Sequence, residues 1–158
     1  MKKIVFVSIG SNLDAKKNMN LVEGHLDSIF DVTYSSIYRT AAEGFEGEDF
    51  LNRVCKFETD KDPYEIRGLL KQIEVNMGRT KEQKGMSNRV IDLDLILYGD
   101  LIVNDQELEL PSLDIQKYKF VLEPLSEIAP TFIHPVLDKS YLDLLNACLL
   151  YTSPSPRD

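Results

Sequence analysis

Cysteine and histidine occur only twice each in these 158 residues. Cys55 and Cys148 are far apart, no C-x-x-C spacing occurs, and only His25 and His134 are available as soft companions, so neither a zinc site nor a disulfide scaffold is suggested. Both cysteines read as structural, buried thiols. Neither histidine has a visible partner, and both read as structural or surface residues. Long apolar runs are missing too. Nothing approaches the roughly 18 to 20 residues that cross a bilayer, and Ile4 to Val7 is too short for the apolar part of a secretory signal, so a cytoplasmic chain without a membrane partner is expected. Positive charge is scarce: 18 Lys and Arg against 26 Asp and Glu leave a formal charge of −8. Coating nucleic acid or an anionic membrane rewards a basic face, which this balance disfavours, so no nucleic-acid partner is expected. An anionic substrate must be held by a local cluster of cations. The Walker A pattern is also absent, so a bound ATP would not sit in a P-loop.

What is present suffices for one core. With 43% hydrophobic residues, the chain reads as a single domain over residues 1–148. Residues 149–158 turn abruptly to Ser, Pro and charge and are expected to be disordered or artefactual, resembling a translated adapter read-through. Lys3 to Ile9 reads as a strand closed by the turn residues Gly10-Ser11-Asn12, with Asp14 as a candidate cap for the helical pattern from Met19 to Phe30. Val32 to Tyr38 reads as a second strand and Phe50 to Thr59 as a third. Asp60 to Pro63 starts a helix whose stripe runs from Ile66 to Met77. Val90 to Tyr98 is a further strand, with shorter segments at Leu101–Val103 and Leu108–Leu110. The order βαββαβ predicts an α+β fold, the ferredoxin-like split βαβ sandwich: a mainly antiparallel sheet covered by helices. Extra C-terminal helical patterns, interrupted by Pro124, Pro130 and Pro135, are expected to close over the sheet edge.

The most informative stretch is Arg89 to Leu97. On a strand, Asp92 and Asp94 point to one face, and Ile91, Leu93, Leu95 and Leu97 to the other. Paired carboxylates repel and resist desolvation, and a hard cation with oxygen ligands, magnesium, relieves both effects. Arg79, Lys81, Lys84 and Arg89 crowd the loop before this strand, and cations beside a metal-binding acid pair suit a polyphosphate. Phe50 and Asn52 share a face of the third strand. An aromatic ring and an amide there suit a heteroaromatic substrate, and Phe120 offers a second ring.

Together these segments resemble the 6-hydroxymethyl-7,8-dihydropterin pyrophosphokinase family. The matching pieces, in family order, are Ile9-Gly10-Ser11-Asn12, Ser35 to Thr40, Phe50-Leu51-Asn52, Ile73-Glu74 with Met77-Gly78-Arg79, Arg89 to Leu95, and Phe120 to Leu125. The resemblance implies diphosphate transfer from ATP to the hydroxymethyl group of the dihydropterin in folate biosynthesis, by a monomer. It implies that Asp92 and Asp94 bind two magnesium ions, with Arg79, Lys81 and Arg89 as catalytic cations facing the phosphates. It also implies that Lys71 and Glu74 lie on the ATP side. Asn52 would hydrogen-bond the pterin edge, Phe50 and Phe120 would sandwich its ring, and Thr40, Ala42 and Glu43 would line its pocket.

Two departures stand out. Ser112 occupies a position where the family commonly has His, and the basic residue two before the second aromatic is missing, with Lys117 and Lys119 nearby as substitutes. Ser87-Asn88 replaces the usual Gly-Pro before the arginine. A ferredoxin-like pterin or nucleotide-binding module with impaired catalysis is the alternative these departures raise.

Overall fold

Residues 2–40, 49–78 and 90–152 are described by the computed structural model. Alternating apolar residues make strand β1, Lys3–Ser11, an inner strand of a sheet whose two faces are both covered. Val5, Val7 and Ile9 face helices α1, Ala15–Asp27, and α2, Pro63–Asn76, whereas Phe6 points to the opposite face. Strand β4, Phe50–Thr59, pairs antiparallel along one side of β1, and β5, Asp92–Tyr98, along the other. The short strands β2, Thr33–Tyr34, and β3, Tyr38–Thr40, both pair antiparallel with β4. Counted as one interrupted strand, β2 and β3 complete the spatial order fourth, first, third, second of a ferredoxin-like sheet.

The interruption was not expected, and a serine explains it. The Ser35 hydroxyl accepts the Val54 N–H at 3.0 Å, in the place of a backbone carbonyl, while the Ser35 carbonyl turns to accept from Arg53. Three other expectations need correction. Gly10 and Ser11 are not a turn, because β1 runs through both. Asp14 precedes α1 but has left-handed dihedrals (φ 44°, ψ 48°), and its side chain caps nothing. Leu97 does not share the face of Leu93 and Leu95. The β1–β5 register slips between Phe6 and Val7, and this bulge turns Leu97 to the side of Phe6.

Helix α2 starts as its sequence predicts. Asp62 accepts the Glu65 N–H at 2.9 Å, the Glu65 carboxylate accepts the Asp62 N–H at 3.3 Å, and Pro63 fills the first turn. Asp62→Ala is expected to lower stability by about 1 kcal/mol, read as a shifted urea midpoint at unchanged slope.

The C-terminal third does not merely close an edge. A small hairpin of β6, Val103–Asn104, and β7, Glu109–Leu110, leads to α3, Asp114–Lys117, α4, Lys119–Ile128, and α5, Tyr141–Thr152. Helix α4 packs on β4, and its Val121, Leu122 and Leu125 join Phe6, Val54 and Ile96 in a second core. The apolar residues on the second sheet face require that cover. Pro124 does not break α4 but lies buried inside it. Helix α5 runs past the boundary drawn at residue 148, and residues 153–158 lie outside the described residues.

His134 is a structural residue of this region. It is buried, its Nδ1 accepts the N–H groups of Val136 and Leu137, and burial lowers its pKa. Cys55 is buried, and burial pushes its thiol up to about 12.

Candidate active site

A glycine lies at the centre of the site. Gly10 pairs with Asn52 of β4 on one side and with Asp92 of β5 on the other; Ser8, two residues back, pairs with Val54 and Asp94. The strand period of two therefore sets Asn52, Gly10 and Asp92 in one row, and Val54, Ser8 and Asp94 in the next, on the face that α4 covers. A Cβ on Gly10 would lie 3.2 Å from the Asn52 Oδ1, so its absence keeps the floor between amide and acid open.

Asn52 is buried, and its Nδ2 donates to the Thr40 Oγ1 at 2.7 Å. Phe50 stands two residues away on the same face. Phe120, in the first turn of α4, stacks on Tyr118 with ring centroids 4.8 Å apart, and the Lys117 ammonium lies 5.4 Å from the Tyr118 ring centre. Tyr118 thus occupies the position two before the aromatic where the resemblance implies a basic residue. Ser112 serves the local structure, since its N–H donates to the Ile96 carbonyl and its hydroxyl accepts the Asp114 N–H.

The acid pair lies on an edge strand, and α2 covers that edge. The buried Glu74 carboxylate accepts the Leu93 N–H at 2.6 Å, and the Lys71 ammonium lies 3.4 Å from the Leu93 carbonyl. One acid and one base thereby meet the outward backbone groups of the residue between the two aspartates. Lys71 also stands 3.8 Å from the Asp94 carboxylate. Burial above all, then the charge of Asp92, pushes Asp94 up to about 7, against the pull of Lys71. Asp114 of α3 is raised as well, chiefly by burial, with Lys117 opposing and Asp92 and Glu109 adding to it. Beside the pair opens a cleft of about 200 Å³, lined among others by Arg67, Lys71, Asp94, Glu107 and Glu109.

The fold gathers Asp92, Asp94, Asn52, Thr40 and Phe50 at one end of the sheet, with Lys71 and Glu74 behind the acid strand. The predicted residues Ala42, Glu43, Arg79, Lys81 and Arg89 lie outside the described residues. Gly10 was missed as a site residue, although a glycine directly after an apolar run was the signal that could have found it.

The comparisons with known proteins bear on this arrangement. Residues 6–130 match the family described as 7,8-dihydro-6-hydroxymethylpterin-pyrophosphokinase (HPPK). The chain belongs to that family. It is 33% identical to the 2-amino-4-hydroxy-6-hydroxymethyldihydropteridine pyrophosphokinase of Aquifex aeolicus, across 85% of this chain and 86% of that one. It is 32% identical to the protein of the same name from Haemophilus influenzae, across 82% and 84%. To the folic acid synthesis protein FOL1 of Dictyostelium discoideum it is 36% identical over 97% of its own residues, yet it spans only 24% of that relative's length. Among solved structures, the HPPK-DHPS of Plasmodium falciparum has the same fold, with a TM-score of 0.75 at 13% identity over 95% of this chain and 44% of that one.

A magnesium site in this HPPK domain can be tested against its donors. Among the described residues no group of three or more His, Cys, Asp and Glu forms a protein cage. Two adjacent carboxylates, one of them raised by burial and then by the charge of its neighbour, nevertheless fit magnesium, which takes one or two protein carboxylates and completes its shell with water and phosphate oxygens.

Proposed function

We propose that this HPPK domain transfers the diphosphate of ATP to 6-hydroxymethyl-7,8-dihydropterin, giving AMP and the pterin diphosphate for folate synthesis. The observation that carries the reading is the row Asn52, Gly10, Asp92, which sets an amide suited to a ring edge two strands across the sheet from an acid pair suited to a cation. Asn52, already a donor to Thr40, presents its carbonyl oxygen to the donors on the pterin edge. Phe50 and Phe120 supply aromatic faces for the ring, and Thr40, Ala42 and Glu43 complete its pocket. Asp92 and Asp94 would hold magnesium, which when bound neutralises charge on the ATP phosphates.

The hydroxymethyl oxygen attacks the β-phosphorus in line. The bond from that phosphorus to the oxygen bridging the α-phosphate breaks, AMP leaves with the bridging oxygen, and the hydroxyl proton passes to water. Positioning and charge neutralisation supply most of the acceleration, because such a transition state needs little covalent help. Lys71 and Asp94 both line the cleft, which supports placing the nucleotide there with Glu74 behind it. Arg79, Lys81 and Arg89 are the further cations for the phosphates, and Lys117 is the candidate replacement for the missing basic residue.

AMP release from ATP and magnesium, with and without the pterin, tests the reaction. Pterin-dependent AMP is expected. Pterin binding without AMP would leave a binding module in its place.

A further inference from the structure

A carboxylate away from the acid pair ties the two walls of the site together. Glu127, in the last turn of α4, receives the Ser36 N–H at 3.0 and 3.2 Å on its two oxygens, the Ser36 hydroxyl at 3.0 Å, and the Tyr38 hydroxyl at 2.7 Å. Partial burial works to raise its pKa, but the Tyr38 and Ser36 donors and the charge of Arg53 outweigh that and hold it below the usual range. Arg53 is itself tied to Glu23 of α1 at 2.8 Å and to the Ser35 carbonyl, so the connection between β2 and β3 is gripped from both faces of the sheet.

Both ends of the Glu127 contact lead to the pterin residues. Phe120 lies seven residues before Glu127 on α4, which is two turns and therefore the same helix face. Tyr38 pairs directly with Asn52, and Thr40, two residues on along β3, accepts the Asn52 amide. One helix thus carries the aromatic wall and the carboxylate, while one strand carries the tyrosine and the threonine that hold the amide.

We infer that Glu127 is a positioning residue that fixes the separation between the Phe120 wall and the Thr40–Asn52 edge, and so sets affinity for the pterin without touching it. The inference rests on the pterin reading above. An exposed carboxylate contributes little to stability, since its loss strands no buried polar group. Its effect falls on geometry instead, where misplacement of a binding wall by a fraction of an ångström is costly.

The test measures KM for pterin and for ATP, kcat, pterin affinity by calorimetry with a non-hydrolysable ATP analogue and magnesium present, and the melting temperature. Glu127→Ala is expected to raise the pterin KM and dissociation constant about fivefold, with the ATP KM within about twofold of wild type. Glu127→Gln, which keeps an acceptor, should recover part of the loss. Tyr38→Phe, which leaves the carboxylate in place and serves if Glu127→Ala folds poorly, should move the pterin values the same way by less. Its combination with Glu127→Ala should be less than additive. Unchanged pterin values in Glu127→Ala or Tyr38→Phe, or pterin and ATP values rising together, would overturn the inference. A wild-type chain that binds pterin but makes no AMP refutes the proposed reaction and leaves the calorimetric test standing; one that binds no pterin removes both.

Discussion

Asp94→Asn will cut pterin-dependent AMP release by orders of magnitude and, in magnesium-free buffer at pH 8, will melt at a higher temperature than the wild type. The two effects share one cause. In the folded chain Asp94 titrates near 7, raised by burial and by Asp92, whereas an unfolded aspartate titrates near the ordinary value of about 3.9. Between those values the folded state holds more protons than the unfolded state, so the contribution of this group to stability falls as pH rises from about 4 and is lowest above about 7. Asparagine removes that penalty, and its amide can donate to Asp92 as the protonated carboxyl does. The side chain is 41% exposed, so solvent screening limits the gain to no more than about 1 kcal/mol, or roughly 2–4 °C in a domain of this size. At pH 4 the two proteins should melt together.

Magnesium should reverse the ranking at pH 8. A cation that binds only the folded state raises its melting temperature, and this gain should appear in wild type and vanish in Asp94→Asn. Turnover should fall by about a thousandfold or more, the scale of a lost transition-state charge contact. An Asp94→Asn protein that keeps the magnesium-dependent rise, or near-wild-type turnover, would remove Asp94 from the proposed magnesium site.

That the acid pair was readable in advance follows from the strand period alone: residues two apart share a face whatever surrounds them. The ferredoxin-like order was readable for a similar reason, because each long element carries its own periodicity and Asp62-Pro63 marks a helix start. What escaped was set by contacts between distant segments. Ser35 interrupts the second strand because its hydroxyl takes over a β4 N–H, and nothing near Ser35 in sequence announces that. Leu97 changes face because of a bulge, and a bulge is a property of two strands together. Glu127 looks like any solvated acid on an amphipathic helix, since its donors lie at Ser36 and Tyr38. Asp14 had the residue type of a cap, and its left-handed backbone turned the side chain away.

Gly10 carries the second large effect, and it is the case where a local reading misled most. Read as a turn residue, Gly10 should tolerate alanine with little effect on catalysis. Read as the floor between Asn52 and Asp92, it should not. An added Cβ meets the Asn52 Oδ1 at 3.2 Å, tighter than ordinary contact, so Asn52 must give way. Asn52 is poorly able to do so, being buried and tied to Thr40 at 2.7 Å. Gly10→Ala should therefore displace the amide proposed to recognise the pterin, and Gly10→Val should also fill the space above the floor with two methyl groups. The backbone of Gly10 is not left-handed, so a side chain there brings crowding and no added backbone strain. Valine suits an inner strand, and the fold should survive. The expected result is a fall in kcat/KM for the pterin of roughly tenfold in Gly10→Ala and about a hundredfold or more in Gly10→Val, with cooperative unfolding retained in both. Magnesium-induced stabilisation should persist, because Asp92 and Asp94 are untouched. That separates the change from loss of the acid pair. If Gly10→Val turned over the pterin as wild type does, the substrate could not lie over the row from Asn52 to Asp92, and the ring would have to be recognised elsewhere.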